Sequence, residues 1–218
     1  MIRKNFVFSD PDFNYSVLIN KIMIKQNELS LDVLFKIMED LQKIYENSII
    51  QFFNDFNVLN EKHIFNSIYF TRKAFNKNIP ISNKQSIEFL LYLSAKRQIK
   101  IAIESFGLKK EDLKKGILNY CIVSNNDDLN QINQELLENF YFEELKFDYE
   151  KKTIEKYNRI KSFYDLADEQ INTILNSISN KKTNDNLEKD NINRLYEVLN
   201  DLICEKMALL SLEGVKFE

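Results

Sequence analysis

Apolar residues along the chain follow two rhythms, and stretches of one alternate with stretches of the other. Ile2 to Phe8 and Val17 to Ile24 are short runs rich in Ile, Val and Phe, separated by the turn-forming cluster Ser9-Asp10-Pro11-Asp12, and read as a pair of strands. From Ser30 the rhythm lengthens. Leu34, Ile37, Leu41 and Ile44 recur at three- and four-residue steps behind a serine cap, as an amphipathic helix requires. Residues 48–59 carry Ile49, Ile50, Phe52, Phe53, Phe56 and Val58 and predict a further strand that ends at Asn60. Asn60 then caps a helix from Glu61 to about Asn76 with Ile64, Ile68, Thr71 and Phe75 inward. That helix breaks before Ile79-Pro80, because proline biases its predecessor away from helical backbone.

Lys84 to Phe106 is helical again, with Gly107 as its stop, but its apolar positions run nearly all the way round. Such a stretch is one buried helix or two shorter ones. The favoured reading splits it at Ser94-Ala95, with Ser94 as N-cap and a first turn of free N–H groups at Lys96, Arg97 and Gln98. Ile117 to Ser124 predicts a strand, 125–128 a turn, Leu129 to about Phe140 a helix, and Tyr141 to Phe147 one more strand. Helices follow over 150–164 and 168–179, then a polar, charged mobile loop at 180–190. The last helix, Ile192 to about Leu212, spreads its apolar residues over an arc of roughly 180°, where a surface helix shows nearer 100°. The excess either lies against another protein or is wedged among the chain's own elements. Taken together, the pattern predicts an α+β fold: one helix-rich domain over 1–218, packed on a small, mainly antiparallel sheet and closed by a long C-terminal helix.

Composition adds exclusions. With 44% hydrophobic residues in 218, the chain can build a core, and 3 Gly with 2 Pro leave little for the many tight turns of an all-β sandwich. The two cysteines, Cys121 and Cys204, lie far apart in apolar runs, which points to a reducing, cytoplasmic setting. No apolar stretch approaches the roughly 20 residues a bilayer demands, and the start of the chain has no signal-peptide core, so no membrane partner is expected. Three scattered glycines make no phosphate loop, and a single histidine, His63, leaves no His-pair zinc site and little for a catalytic triad. Neither a cofactor nor an active site is expected.

Charge is the more informative quantity. From Lys62 to Lys110 ten Lys and Arg stand against Glu88 and Glu104, so this segment carries +8 within a chain of net charge -3, and the remainder carries -11. Tyr69, Phe70, Tyr92 and Phe106 are interleaved with Arg72, Lys73, Lys77, Lys96, Arg97 and Lys100, the mixture used to stack bases and pair phosphates of single-stranded RNA.

The run Glu88-Phe-Leu-Leu-Tyr-Leu-Ser-Ala-Lys-Arg-Gln-Ile-Lys-Ile-Ala-Ile-Glu-Ser-Phe-Gly107 resembles the small accessory subunit of the KEOPS (EKC) complex, also called the PRPK-binding protein family. Glu88, Ser94, Arg97, Gln98, Ile99, Ala102 and Gly107 fit that family's pattern, with Ala95 where glycine is usual. His63 at a helix start, Cys-Ile-Val-Ser after Gly116 and the closing Leu202-Ile-Cys-Glu-Lys-Met-Ala-Leu-Leu-Ser-Leu are similar as well. The region 145–191 lies outside the resemblance and reads as an insertion. The resemblance implies a non-enzymatic subunit that binds a kinase-like ATPase through its C-terminal helix and holds the 3′ CCA end of tRNA. Through the ATPase it would act with the catalytic threonylcarbamoyl-transferase subunit, which modifies adenosine in the anticodon loop. Joined to the basic segment it points to His63, Arg72, Lys73, Lys96, Arg97 and Gln98 at the RNA, and joined to the wide apolar arc of the last helix it points to Leu202, Ile203, Met207 and Leu210 at the ATPase. The competing reading is a helical protein–protein adaptor with no nucleic-acid role.

Overall fold

In the computed structural model of the protein, residues 1–10, 13–25, 29–124, 128–149, 151–179 and 187–212 are described. Strand β2 (Tyr15–Ile24) is the spine of the sheet, and six consecutive residues from Tyr15 to Asn20 are buried. A strand with one wet face would alternate; this one is covered on both sides. Strand β4 (Ile117–Ser124) pairs antiparallel along its length, setting Ile19 opposite Cys121 and Ile22 opposite Leu118. Strand β3 (Ile49–Phe53) adds to the far side of β4, with Gln51 opposite Cys121. On the other edge of β2, β1 (Ile2–Phe6) covers residues 15–19 and β5 (Phe142–Glu144) covers 22–24. Every described pairing is antiparallel.

Two-residue periodicity then sends neighbours into different cores. Leu18, Ile22, Ile50, Phe52, Tyr120 and Ile122 pack with Leu34, Met38 and Leu41 of α1 (Leu31–Ile44) and with Leu129, Ile132 and Leu136 of α6 (Leu129–Leu137). Tyr15, Val17, Ile19, Phe53, Cys121 and Val123 face the larger core, filled by α2 (Glu61–Asn76), α3 (Gln85–Ser94), α4 (Ile99–Phe106), α7 (Ile154–Phe163), α8 (Asp168–Ser179) and α9 (Leu187–Leu212). Each fully buried Leu, Ile or Phe is worth about 1.5–3 kcal/mol in area terms. Helices α7 and α8 supply Tyr157, Ile160 and Ile171 to this core, so much of the stretch expected as an insertion is load for the main fold.

Several expectations shift. The strand foreseen over 48–59 stops at Phe53, because the Asn54 side chain turns the chain by accepting the Phe56 N–H at 2.9 Å. The strand expected over 141–147 keeps only residues 142–144. A short helix, α5 (Lys110–Lys115), was not foreseen; it buries nothing and ends at Gly116, whose φ is 68°. A Cβ there would sit 2.9 Å from the Ile24 carbonyl oxygen, so both conformation and space require glycine. Of the loop expected at 180–190, residues 180–186 lie outside the described residues, while the last helix already begins at Leu187.

Candidate functional site

Ser94 closes α3. Its Oγ donates to the Leu91 carbonyl at 2.9 Å and accepts the Lys96 N–H at 3.2 Å. Ala95 follows in the left-handed conformation, φ 48° and ψ 36°, and the Ala95 and Lys96 amides return to Tyr92 and Leu91 at 3.0 and 3.2 Å. This is a helix C-terminus built on a left-handed residue, reached without the glycine that usually occupies it. The predicted division of 84–106 is therefore present, but the predicted first turn at Lys96 to Gln98 is displaced: the next helix starts at Ile99 with Gln98 in extended backbone. Lys96 is half-buried, and Arg97, Gln98 and Lys100 are exposed around that start.

Behind these cations lies a chain of aromatic contacts. Arg97 acts electrostatically on Tyr92; Tyr92 stacks on Phe70 with ring centres 5.6 Å apart; Lys73 reaches to 5.9 Å from Phe70 and 5.8 Å from Tyr69. Tyr69 in turn touches Phe8 and Phe13, and Arg72 lies 5.7 Å over Tyr15 with one nitrogen 3.4 Å from the Asn47 carbonyl. Thus Arg72 and Lys73 lie against one aromatic cluster and Arg97 acts on its Tyr92; Tyr15, Phe70 and Tyr92 are buried in the core, and Tyr69, Phe8 and Phe13 are half-buried. Glu88, the acid of the Glu88–Gly107 run, is also buried, accepting the Ile81 and Ser82 amides at 3.1 and 2.7 Å; burial raises its pKa, and those bonds and Arg97 oppose the rise.

His63 is elsewhere. The Asn60 side chain caps α2 on the His63 N–H at 2.9 Å, and the imidazole turns into the core, 1% exposed. Nδ1 accepts the Leu59 N–H at 3.2 Å, which leaves the proton on Nε2, 3.0 Å from the Leu93 carbonyl and 3.1 Å from the Tyr164 hydroxyl. Tyr164 donates to the same carbonyl at 2.6 Å. Burial holds the imidazole near a pKa of about 4 against an ordinary 6.5, so it is neutral. Both ring nitrogens are engaged within the chain, and the expectation that His63 meets a nucleotide is corrected: it fastens the ends of α2, α3 and α7.

The partner residues expected on α9 also turn inward. Leu202, Ile203, Met207 and Leu210 are 0–4% exposed, and the Met207 sulfur lies 3.9 Å from Ser67 Oγ of α2. The wide apolar arc of α9 is thus filled by the chain's own helices, and these four side chains are corrected from partner contacts to core. On the same helix Leu209 and Leu212 remain 49% and 53% exposed.

A family model described as "Kinase binding protein CGI-121" matches residues 15–211. The chain belongs to this family. No curated protein matches it. Membership agrees with the resemblance carried by the 88–107 run, and the CGI-121 match takes in the region 145–191 as well. No described helix is long and apolar enough to cross a membrane. Sequence reasoning missed two groups of this CGI-121 chain. Tyr164, which orients His63, carried no signal beyond an aromatic at a helix end; Lys4, 5.1 Å over Phe6 and 5.0 Å over Phe65, was hidden inside a strand-like run.

Proposed function

We propose that the chain is a non-catalytic subunit of the KEOPS type, which binds the kinase-like ATPase of that complex and presents the 3′ CCA end of tRNA for threonylcarbamoyladenosine formation. Family membership supports the kinase half. The observation that supports the RNA half is the placement of Lys73 and Arg72 against one aromatic cluster, with the exposed Arg97, Gln98 and Lys100 and the half-buried Lys96 around the uncapped start of α4. Unstacked bases need a flat apolar face, which in this cluster only the half-buried Tyr69, Phe8 and Phe13 can offer, and phosphates need nearby cations; a short single-stranded tail needs only a local patch of both. Arg72, Lys73, Lys96, Arg97 and Gln98 are the residues assigned to the tail. For the ATPase, the exposed side of α9 replaces the buried one, with Leu209 and Leu212 as contacts.

Binding of intact tRNA and of tRNA trimmed of its CCA, measured at several salt concentrations, tests this. Intact tRNA should bind with a negative salt slope, and trimming should remove most of the affinity. Equal affinity for both would defeat the tail reading. No binding of either would leave a kinase-binding adaptor.

A further inference from the structure

The turn after β3, the segment ahead of α7 and the first turns of α7 border an open cavity of about 270 Å³. Lys156 and Arg159 line it three residues apart on α7, and neither has an ion pair among the described residues. Of its carboxylates, Asp55 is held by Lys21 at 2.9 Å, whereas Asp148 lies 4.0 Å from Lys151 with both side chains exposed, and Glu155 is exposed. In the lining Lys151, Lys156 and Arg159 balance Asp55, Asp148 and Glu155, and Lys21, which holds Asp55 from outside the lining, adds one further positive charge. Burial lowers the pKa of the Lys156 ammonium and the neighbouring Arg159 lowers it further, while the Asp55 and Asp148 carboxylates oppose the drop. Two adjacent half-buried cations with Asp55 and Asp148 nearby but no carboxylate within ion-pair distance among the described residues are an arrangement that an anion would stabilise.

The polar groups left without partners are of one kind. Tyr149 lines the same cavity, is 6% exposed, has a hydroxyl with no hydrogen-bond partner, and feels Asp55 as its first charged neighbour. Arg159 is fixed by Phe56, whose ring it covers at 4.2 Å and whose carbonyl accepts from Nη2 at 3.1 Å, while its Nε–H is buried and unpartnered. Thr153 caps α7 by accepting the Lys156 N–H at 3.1 Å, which leaves the Ile154 and Glu155 amides of the first turn without a partner among the described residues. An ammonium, a guanidinium N–H, a phenol and two helix N-terminal amides are all donors. The Tyr149 hydroxyl and the Arg159 Nε–H have no acceptor, although Asp55, Asp148 and Glu155 stand in the same lining.

We propose that this cavity binds a phosphate group. The donors approach from the α7 terminus, from two cationic side chains and from the wall formed by Tyr149, more directions than the two oxygens of a carboxylate can meet, and helix N-termini favour phosphate by geometry and dipole together. The phosphate can come from a small phosphorylated molecule or from an RNA backbone. The site does not depend on the tRNA reading.

The full chain, labelled with ¹⁵N, is titrated with sodium phosphate and, at matched ionic strength, with sodium chloride. Saturable shifts of the Ile154 and Glu155 amides are expected with phosphate only. Lys156→Met and Arg159→Lys should each weaken that binding by about 5-fold or more, and Tyr149→Phe by roughly 2–5-fold, with the remaining amide spectrum superimposable on the parent. Shifts that do not saturate, or that chloride reproduces, overturn the proposal and leave a water-filled cavity. Should the phosphate belong to RNA, inorganic phosphate will compete with tRNA and Lys156→Met will lower tRNA affinity by about 5-fold; should it belong to a small molecule, saturable phosphate shifts will stand beside unchanged tRNA affinity. Loss of tRNA binding alone counts against the reading of the preceding section and not against the cavity.

Discussion

His63 and Arg97 were expected at the same RNA tail, yet the fold sends one inward and the other out. The imidazole is 1% exposed and hydrogen-bonded on both nitrogens, while Arg97, four residues beyond the Leu93 carbonyl that His63 binds, is exposed at the α3–α4 connection. Both stand in segments that resemble the same family. What separates them is the backbone: an N-cap aims the first turn of α2 at the core, and a left-handed Ala95 turns the chain away from it. A residue can therefore be shared across a family because it holds a junction together, with no ligand of its own. Helix α9 divides the same way, Met207 inward and Leu209 outward.

The largest effect that would sharpen this contrast is on α9. Met207→Glu places an unpaired charge in the core and should destabilise the fold by about 3–5 kcal/mol or unfold it, whereas Leu209→Glu should change stability by no more than about 0.5 kcal/mol. Urea denaturation reads the first, and capture of the kinase-like partner reads the second, which is expected to fall sharply. A folded Met207→Glu that loses only its partner would return the inner face of α9 to the interface.

His63 gives a pH signature next in size. Its folded pKa of about 4 lies below the ordinary 6.5, so between these values the unfolded chain takes a proton that the folded chain refuses. Stability from this group is complete above 6.5 and lost as pH falls towards 4, a span of about 3 kcal/mol. The buried Glu88 carboxyl, with its raised pKa, works in the opposite direction, which is why the comparison is with His63→Gln, where Glu88 is unchanged. The difference in unfolding free energy between the two proteins should shrink between pH 7 and pH 4; a constant difference would mean that His63 keeps its ordinary pKa in the folded state, and a widening one that it is charged there. Arg97→Ala should instead leave stability within about 0.5 kcal/mol and weaken tRNA binding by about 1–3 kcal/mol, with a smaller salt slope.

Local signals were legible where a side chain acts on its own backbone. Asn60 as a cap, the Ser30-capped helix and the strands around Ile19 and Ile122 all follow from near neighbours in the sequence. What could not be read was which body fills an apolar arc, because Leu202 and Met207 have the same hydropathy whether α2 or another protein lies against them. Helix α5 escaped for the converse reason: Lys-Glu-Asp-Leu-Lys-Lys has no apolar period, and it is fixed by its ends, the Asp112 carboxylate accepting the Lys109 N–H at 2.9 Å and Gly116 at φ 68°. The cation–aromatic cluster was visible as interleaved residue types over 69–100, but Lys4, Phe8 and Phe13 joined it only through the tertiary pairing of β1 with β2.

The smallest expected effect lies at Ala95, and it isolates the turn from the surface that the turn presents. With φ 48° this alanine carries a Cβ penalty that glycine escapes, of about 1 kcal/mol, partly offset because glycine also gains freedom in the unfolded chain. Ala95→Gly should therefore raise the unfolding free energy by about 0.5–1 kcal/mol. The hydrogen bonds that shape the connection, Ala95 and Lys96 amides to Tyr92 and Leu91 and Ser94 Oγ to Leu91, do not involve the Ala95 side chain, so Arg97 and Gln98 should keep their positions. Affinity for tRNA should then match the parent within about 2-fold. A tenfold gain would show that the native turn holds Arg97 away from the tail, and a loss of stability would show that residue 95 leaves the left-handed region in solution.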